Sequence, residues 1–108
     1  MKPRTSTKAF EGAAQPAAQR FVLRLYIVGS SERSLRAIQN AKDICEEHLR
    51  GAYRLDIIDI LKQPRLAKDD QILAIPTLIK MLPAPVRRFI GDLSERDVVL
   101  VGLDLERR

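Results

Sequence analysis

Residues 21–61 carry two apolar, β-branched runs separated by one amphipathic helical segment, and that order constrains the fold more than any other feature of the chain. Phe21 to Val28 is apolar and aromatic except at Arg24 and ends at Gly29, the pattern of a largely buried strand. Ser30 or Ser31 can then cap a helix, with Glu32 in the first turn where negative charge suits the helix dipole. Leu35, Ile38, Ala41, Cys45 and Leu49 recur at three- and four-residue spacing and predict its apolar face, and Gly51 stops it. Tyr53 to Leu61, with Ile57, Ile58 and Ile60, predicts a second strand. Strand, helix and strand joined by short links imply a right-handed parallel crossover, and hence an α/β domain.

The second half continues with smaller elements. Pro64 suits the first turn of a helix running to about Leu73. Thr77 to Leu82 predicts a third strand, which Pro83-Ala84-Pro85 turns towards a fourth at Val86 to Ile90, broken by Gly91-Asp92. Ser94-Glu95-Arg96-Asp97 is a helix-start signal of capping-box type. It leads into Val98-Val99-Leu100-Val101, a composition that favours strand, and into Gly102, which costs about 1 kcal/mol relative to Ala inside a helix. A segment capped like a helix but composed like a strand is frustrated: it reads as a poor helix held by tertiary contacts, or as a conflict that marks function or alternative packing.

With 108 residues, 45% of them hydrophobic, the chain is expected to form one domain over residues 21–108 behind a flexible basic arm at residues 1–20. No apolar run approaches the ~20 residues of a membrane span. A single cysteine makes a cytoplasmic address the expectation. Of the net charge of +5, the arm holds +3 through Lys2, Arg4, Lys8 and Arg20 against Glu11. The rest is nearly balanced, so net charge lends little support to nucleic-acid binding.

Catalytic, metal or cofactor chemistry finds no footing. Cys45 falls mid-helix on the apolar stripe rather than at a helix N-terminus or beside a cation, so a thiol oxidoreductase acting through it is disfavoured. Cys45 and His48 would make half a zinc site with no second half. Asp56, Asp59, Asp69 and Asp70 read as solvated faces or element ends, and no Gly-rich phosphate loop is present. Ser30, Ser31 and Ser34 have no histidine nearby to act as base. Arginines stand out instead: adjacent Arg87 and Arg88 in one strand point to opposite faces, and Arg24 and Arg36 add two more guanidinium groups, which read equally as ordinary surface charge or as a surface suited to a carboxylate-bearing partner.

The segment Leu73-Ala74-Ile75-Pro76-Thr77-Leu78 resembles the one that thioredoxin-like folds place beside their active site, usually with the proline cis. Where a thioredoxin carries Cys-x-x-Cys, this chain reads Gly29-Ser30-Ser31-Glu32-Arg33-Ser34. Over residues 21–106 the chain resembles the KaiB family. The resemblance rests on Leu23 to Gly29, Asp59 to Pro64, Ile72 to Leu78, Val101 to Leu105 and, most specifically, the long block Leu82 to Ser94. It implies a protein without enzymatic activity, metal or cofactor that binds a KaiC-type ATPase, promotes its dephosphorylation phase and helps sequester KaiA. The family also implies two folds. One is a thioredoxin-like βαβαββα monomer that binds KaiC; the other is a βαββααβ ground state that is tetrameric, or here dimeric, and in which the C-terminal segment includes a strand. Pro76, Gly102 and Asp104 fall at positions tied to this switch, and Arg24, Arg36, Arg87 and Arg88 would form the charged partner surface. The departures are Ser30-Ser31-Glu32-Arg33 after Gly29, Asp56 where a basic residue is usual, and Arg107-Arg108 in place of an acidic tail. They mark a divergent member, for which a stress-response adaptor, or one serving a sensor kinase in two-component signalling, is the alternative.

Overall fold

The computed structural model describes residues 20–105; the arm expected over residues 1–20 lies, but for Arg20, outside the described residues, as do Arg107 and Arg108. In chain order the elements are β1 (Phe21–Ile27), α1 (Glu32–His48), β2 (Tyr53–Asp59), α2 (Pro64–Asp69), β3 (Thr77–Leu82), β4 (Arg87–Ile90) and α3 (Arg96–Gly102). This is the expected βαβαββα arrangement. One sheet in the order β2-β1-β3-β4 runs through the domain. β1 pairs with β2 in parallel and with β3 antiparallel, and β3 pairs antiparallel with β4.

Alternation along the central strands divides the core in two. Leu23, Leu25 and Ile27 of β1 and Leu78 of β3 pack with Ala37, Ala41 and Ile44 of α1 and with Val99 and Leu103 at α3. On the other face Tyr26, Ile58 and Ile79 pack with Leu66 and Ala67 of α2 and with Ile72 and Ile75 beyond it. α1 and α3 therefore cover one face of the sheet and α2 the other. Among the described residues, no helix is long and apolar enough to cross a membrane.

Three local expectations are corrected. Leu35, expected on the buried stripe of α1, is 53% exposed, and Ser34 takes the core-facing position in that turn. Ser34 is buried because its Oγ accepts from the Val28 N–H at 3.0 Å, satisfying the backbone where β1 ends. Ser31 caps α1, its Oγ accepting from the Ser34 N–H.

α2 stops at Asp69 rather than near Leu73. Gln71 adopts φ +56°, and the N–H groups of Gln71 and Ile72 donate to the carbonyls of Lys68 and Ala67, the Schellman pattern of a helix end. Glutamine is not a residue that announces a left-handed turn, so the sequence carried no stop signal there.

α3 begins at Arg96 with Glu95 at the cap position and no side-chain capping bond, so the expected Ser94–Asp97 box does not form. The Ser94 N–H donates instead to Asp92 Oδ1 at 3.1 Å.

Ser34→Ala leaves the partly buried Val28 N–H without its acceptor. A loss of about 1–3 kcal/mol of stability is expected, measured as a lower urea midpoint with an unchanged slope.

Candidate partner-binding surface

The row of residues that crosses the α2 face of the sheet runs Asp56, Arg24, Ile79 and Arg88 in register. Two of the expected arginines thus stand on one face with β3 between them, and both turn to the end of α2. Arg24 Nη1 lies 2.7 Å from Asp70 Oδ2. The Tyr26 hydroxyl donates to the same carboxylate, with the Leu66 carbonyl 3.1 Å away. Arg88 donates to the Asp70 and Gln71 carbonyls, at the cap of α2 and just beyond it. Asp70, expected on a solvated face or at an element end, stands at the end of α2 and is the acceptor that joins it to β1. Burial alone would raise its pKa, but the Tyr26 hydroxyl, the Arg24 guanidinium and the charge of Arg88 outweigh this and hold it below its ordinary value. Tyr26 is pushed up, by burial first and by its bond to Asp70 second.

Arg36 sits in the other layer. Its Nε is 3.0 Å from Asp92 Oδ2, and its Nη1 is 3.8 Å from Glu32. Asn40 Nδ2 donates to the Asp92 carbonyl at 2.8 Å, so α1 grips the loop between β4 and α3 twice. Arg36 and Ser94 together hold the Asp92 carboxyl at about 2. A cavity of about 420 Å³ opens over this loop, bordered by Arg33, Arg88, Ile90 and Val98. Arg33 was not among the arginines singled out in the sequence; it became visible only when Gly91 came to lie beside it. Arg87, on the face of β4 opposite Arg88, is exposed and forms no ion pair with another described residue. The four arginines are thus not one patch: Arg24 and Arg88 gather at Asp70, Arg36 holds Asp92, and Arg87 stands apart.

Pro76 follows a cis peptide bond, and its carbonyl accepts the Gly91 N–H at 2.9 Å, tying β3 to the loop at the cavity. Gly102 closes α3 and packs under Phe89: a Cβ there would lie 2.3 Å from Phe89 Cε1 and 2.7 Å from Cζ. Asp104 takes φ +63° after α3, and the Asp104 and Leu105 N–H groups donate to the Val101 and Leu100 carbonyls. This is a second Schellman end, with Asp104 in the left-handed position that Asp tolerates better than most residues. α3 is further tied to α1 by Arg96, whose two Nη atoms reach Glu47 at 3.0 Å and Asp43 at 3.3 Å.

Cys45 is buried, and that burial, with the nearby Glu46 charge, pushes its thiol up to about 11. A thiol that protonated is a poor nucleophile. Among the described residues no cluster of His, Cys, Asp or Glu could hold a metal.

The sheet, the cis-proline turn and the Ser-capped start of α1 define a thioredoxin-like domain with no cysteine in the stretch Gly29 to Ser34 that opens α1. Solved structures agree on the fold. The N-terminal domain of Synechococcus elongatus SasA matches with a TM-score of 0.66 at 23% identity, covering 89% of this chain and 94% of that one. A chloroplastic thioredoxin z matches with a TM-score of 0.67 at 16% identity, covering 82% and 80%. The chain belongs to the KaiB family: the KaiB domain matches residues 24–105. A circadian clock oscillator protein KaiB of Prochlorococcus marinus is 54% identical over 89 residues, 82% of this chain and 83% of the relative. The corresponding protein of Microcystis aeruginosa is 55% identical over 85 residues, 79% of this chain and 82% of the relative.

Two predictions follow from this geometry. Asp92 has a depressed pKa, so the stability it lends is complete above the ordinary carboxylate value of 3.8 and is lost as pH falls towards about 2. Asp92→Asn is expected to flatten the acid limb of a pH–stability profile in that window.

Gly102→Ala relieves a helix penalty of about 1 kcal/mol but drives a methyl into the Phe89 ring, where overpacking costs about 1–3 kcal/mol. No gain in melting temperature is expected in the wild-type background, whereas Gly102→Ala added to Phe89→Leu is expected to raise it relative to Phe89→Leu alone. Equal gains in both backgrounds would mean the ring is no obstacle.

Proposed function

We propose that this protein is a non-catalytic regulator that binds a KaiC-type ATPase and promotes its dephosphorylation phase, in a circadian clock or a system derived from one. The observation that carries the reading is the family match over residues 24–105, which begins at Arg24 and takes in Arg36, Arg87 and Arg88. Relatives that share about half their residues with this chain are named as clock oscillator proteins.

Binding is gated by a change of fold, from a βαββααβ oligomer to the βαβαββα arrangement described above. The composition of α3 supports this gate. Val98 to Val101 would suit a strand, yet they are wound as a helix without a side-chain cap, held by burial of Val99 and Leu103 and by Arg96 on α1. When the competent fold is the minor one, affinity falls in proportion to its population and association is slow.

The four arginines contribute unequally to a test. Arg24, Arg36 and Arg88 each hold part of this fold together, so their removal confounds binding with stability. Arg87 has no such duty among the described residues. Co-elution with the KaiC-type ATPase of the same organism, with ATP and sampled over hours, is expected to show slow complex formation. Arg87→Glu is expected to weaken that complex about tenfold or more with an unchanged melting temperature. No complex at any time point overturns the reading in favour of a signalling adaptor of the same fold. A complex indifferent to Arg87→Glu removes Arg87 from the interface.

A further inference from the structure

Among the described residues, Lys80 is the long charged side chain that the fold hides most completely, at 1% exposure. It shares a face of β3 with Leu78 and stands opposite Leu23 of β1, so its stem lies in the α1/α3 layer of the core. No ion pair or hydrogen bond joins its amine to another described residue. An ammonium group taken out of water without a partner is costly. The family role proposed above makes no use of it.

The side chain borders a cavity of about 390 Å³, open to solvent, at the end of the sheet where β1 begins and β3 ends. Phe21, Pro83, Leu103 and Leu105 wall it, and Asp104 also lines it. This volume falls within the range of small-molecule sites, and its lining mixes apolar side chains with polar surface.

We propose that this cavity binds a small monocarboxylate with an apolar body, its carboxylate on Lys80 Nζ and its body against Phe21 and Leu103. A buried amine beside the apolar side chains of Phe21 and Leu103 suits an anionic head on an apolar body. The carboxylate of Asp104 at the same cavity disfavours a second negative charge, which sets a monocarboxylate above a phosphate. An occupant spans β3 and the residues that follow α3, so it stabilises the helical arrangement of the C-terminal segment in proportion to its concentration.

The test is an amide NMR titration of the full chain with sodium benzoate and, separately, inorganic phosphate, at constant ionic strength. Benzoate is expected to give saturable shifts at Phe21, Ala84, Leu103 and Leu105 and a melting temperature that rises with its concentration, while phosphate gives neither. Lys80→Met removes the charged hydrogen bond and keeps the shape, and is expected to weaken benzoate binding about tenfold or more. Ala84→Leu, on the exposed turn, keeps Lys80 and narrows the cavity, and is expected to weaken benzoate as well. Absence of saturable shifts in the wild type, or undiminished affinity in both variants, overturns the proposal. Phosphate binding as tight as benzoate overturns the assignment of an apolar body. No ATPase enters the experiment, so its result stands apart from that of the co-elution.

Discussion

Everything in this domain is arranged around β1, a strand used on both edges and both faces. Its edges pair with β2 and β3, and its faces supply Leu23, Leu25 and Ile27 to one core and Tyr26 to the other. A strand so enclosed can carry a charge only where that charge is matched, because an unpaired ion in low dielectric is expensive. Arg24 meets the condition through Asp70. The same carboxylate takes the Tyr26 hydroxyl, and Arg88 from β4 closes on the carbonyls beside it. A six-residue helix with no buried residue of its own is thereby fastened to both the centre and the edge of the sheet.

The arginines that suggested an interface are, for the most part, already engaged within the molecule. Arg36 holds Asp92, Arg24 holds Asp70 and Arg88 closes the end of α2. A partner carboxylate that draws on any of these competes with an acceptor in place, so its net gain is the difference between two ion pairs rather than the worth of one. Arg33 and Arg87 make no ion pair with another described residue and offer attraction without that exchange. Attraction of this kind favours encounter rate and partner choice over raw affinity.

Most of the architecture was legible because the chain states it redundantly. The β1–α1–β2 unit shows in hydrophobic period, caps and glycine together, and Pro64 and Pro83-Ala84-Pro85 punctuate the rest at the right places. Legibility failed where one side chain acts through a distant part of the chain. Ser34 displaces Leu35 from the core because a backbone N–H six residues earlier needs an acceptor. Asp70 looked like a surface acid because its partners on β1 and β4 are far from it in sequence. Gln71 ends α2 in a conformation its identity does not advertise. The arginines were readable as residues, but their division among Asp70, Asp92 and solvent depends on the register of three strands. The tail is the instructive case: its composition and its capping signals disagree, and what decides for a helix is Arg96 bound to α1 and the burial of Val99 and Leu103, neither a local propensity.

The open edges of the sheet have a consequence of their own. β2 and β4 each end the sheet with backbone groups left for another strand to pair, the usual template for runaway association. β4 is only four residues long and carries Arg87 and Arg88, so a second copy aligned along it would meet like charges at close range. β2 presents Arg54 and Asp56, whose mutual ion pair at 3.2 Å keeps that rim polar. A chain whose C-terminal segment is rich in strand-forming residues needs such guarding. Should α3 unravel, Val98 to Val101 would add adhesive backbone to the molecule, and the arginine-studded rim of β4 is where misdirected stacking would be turned away.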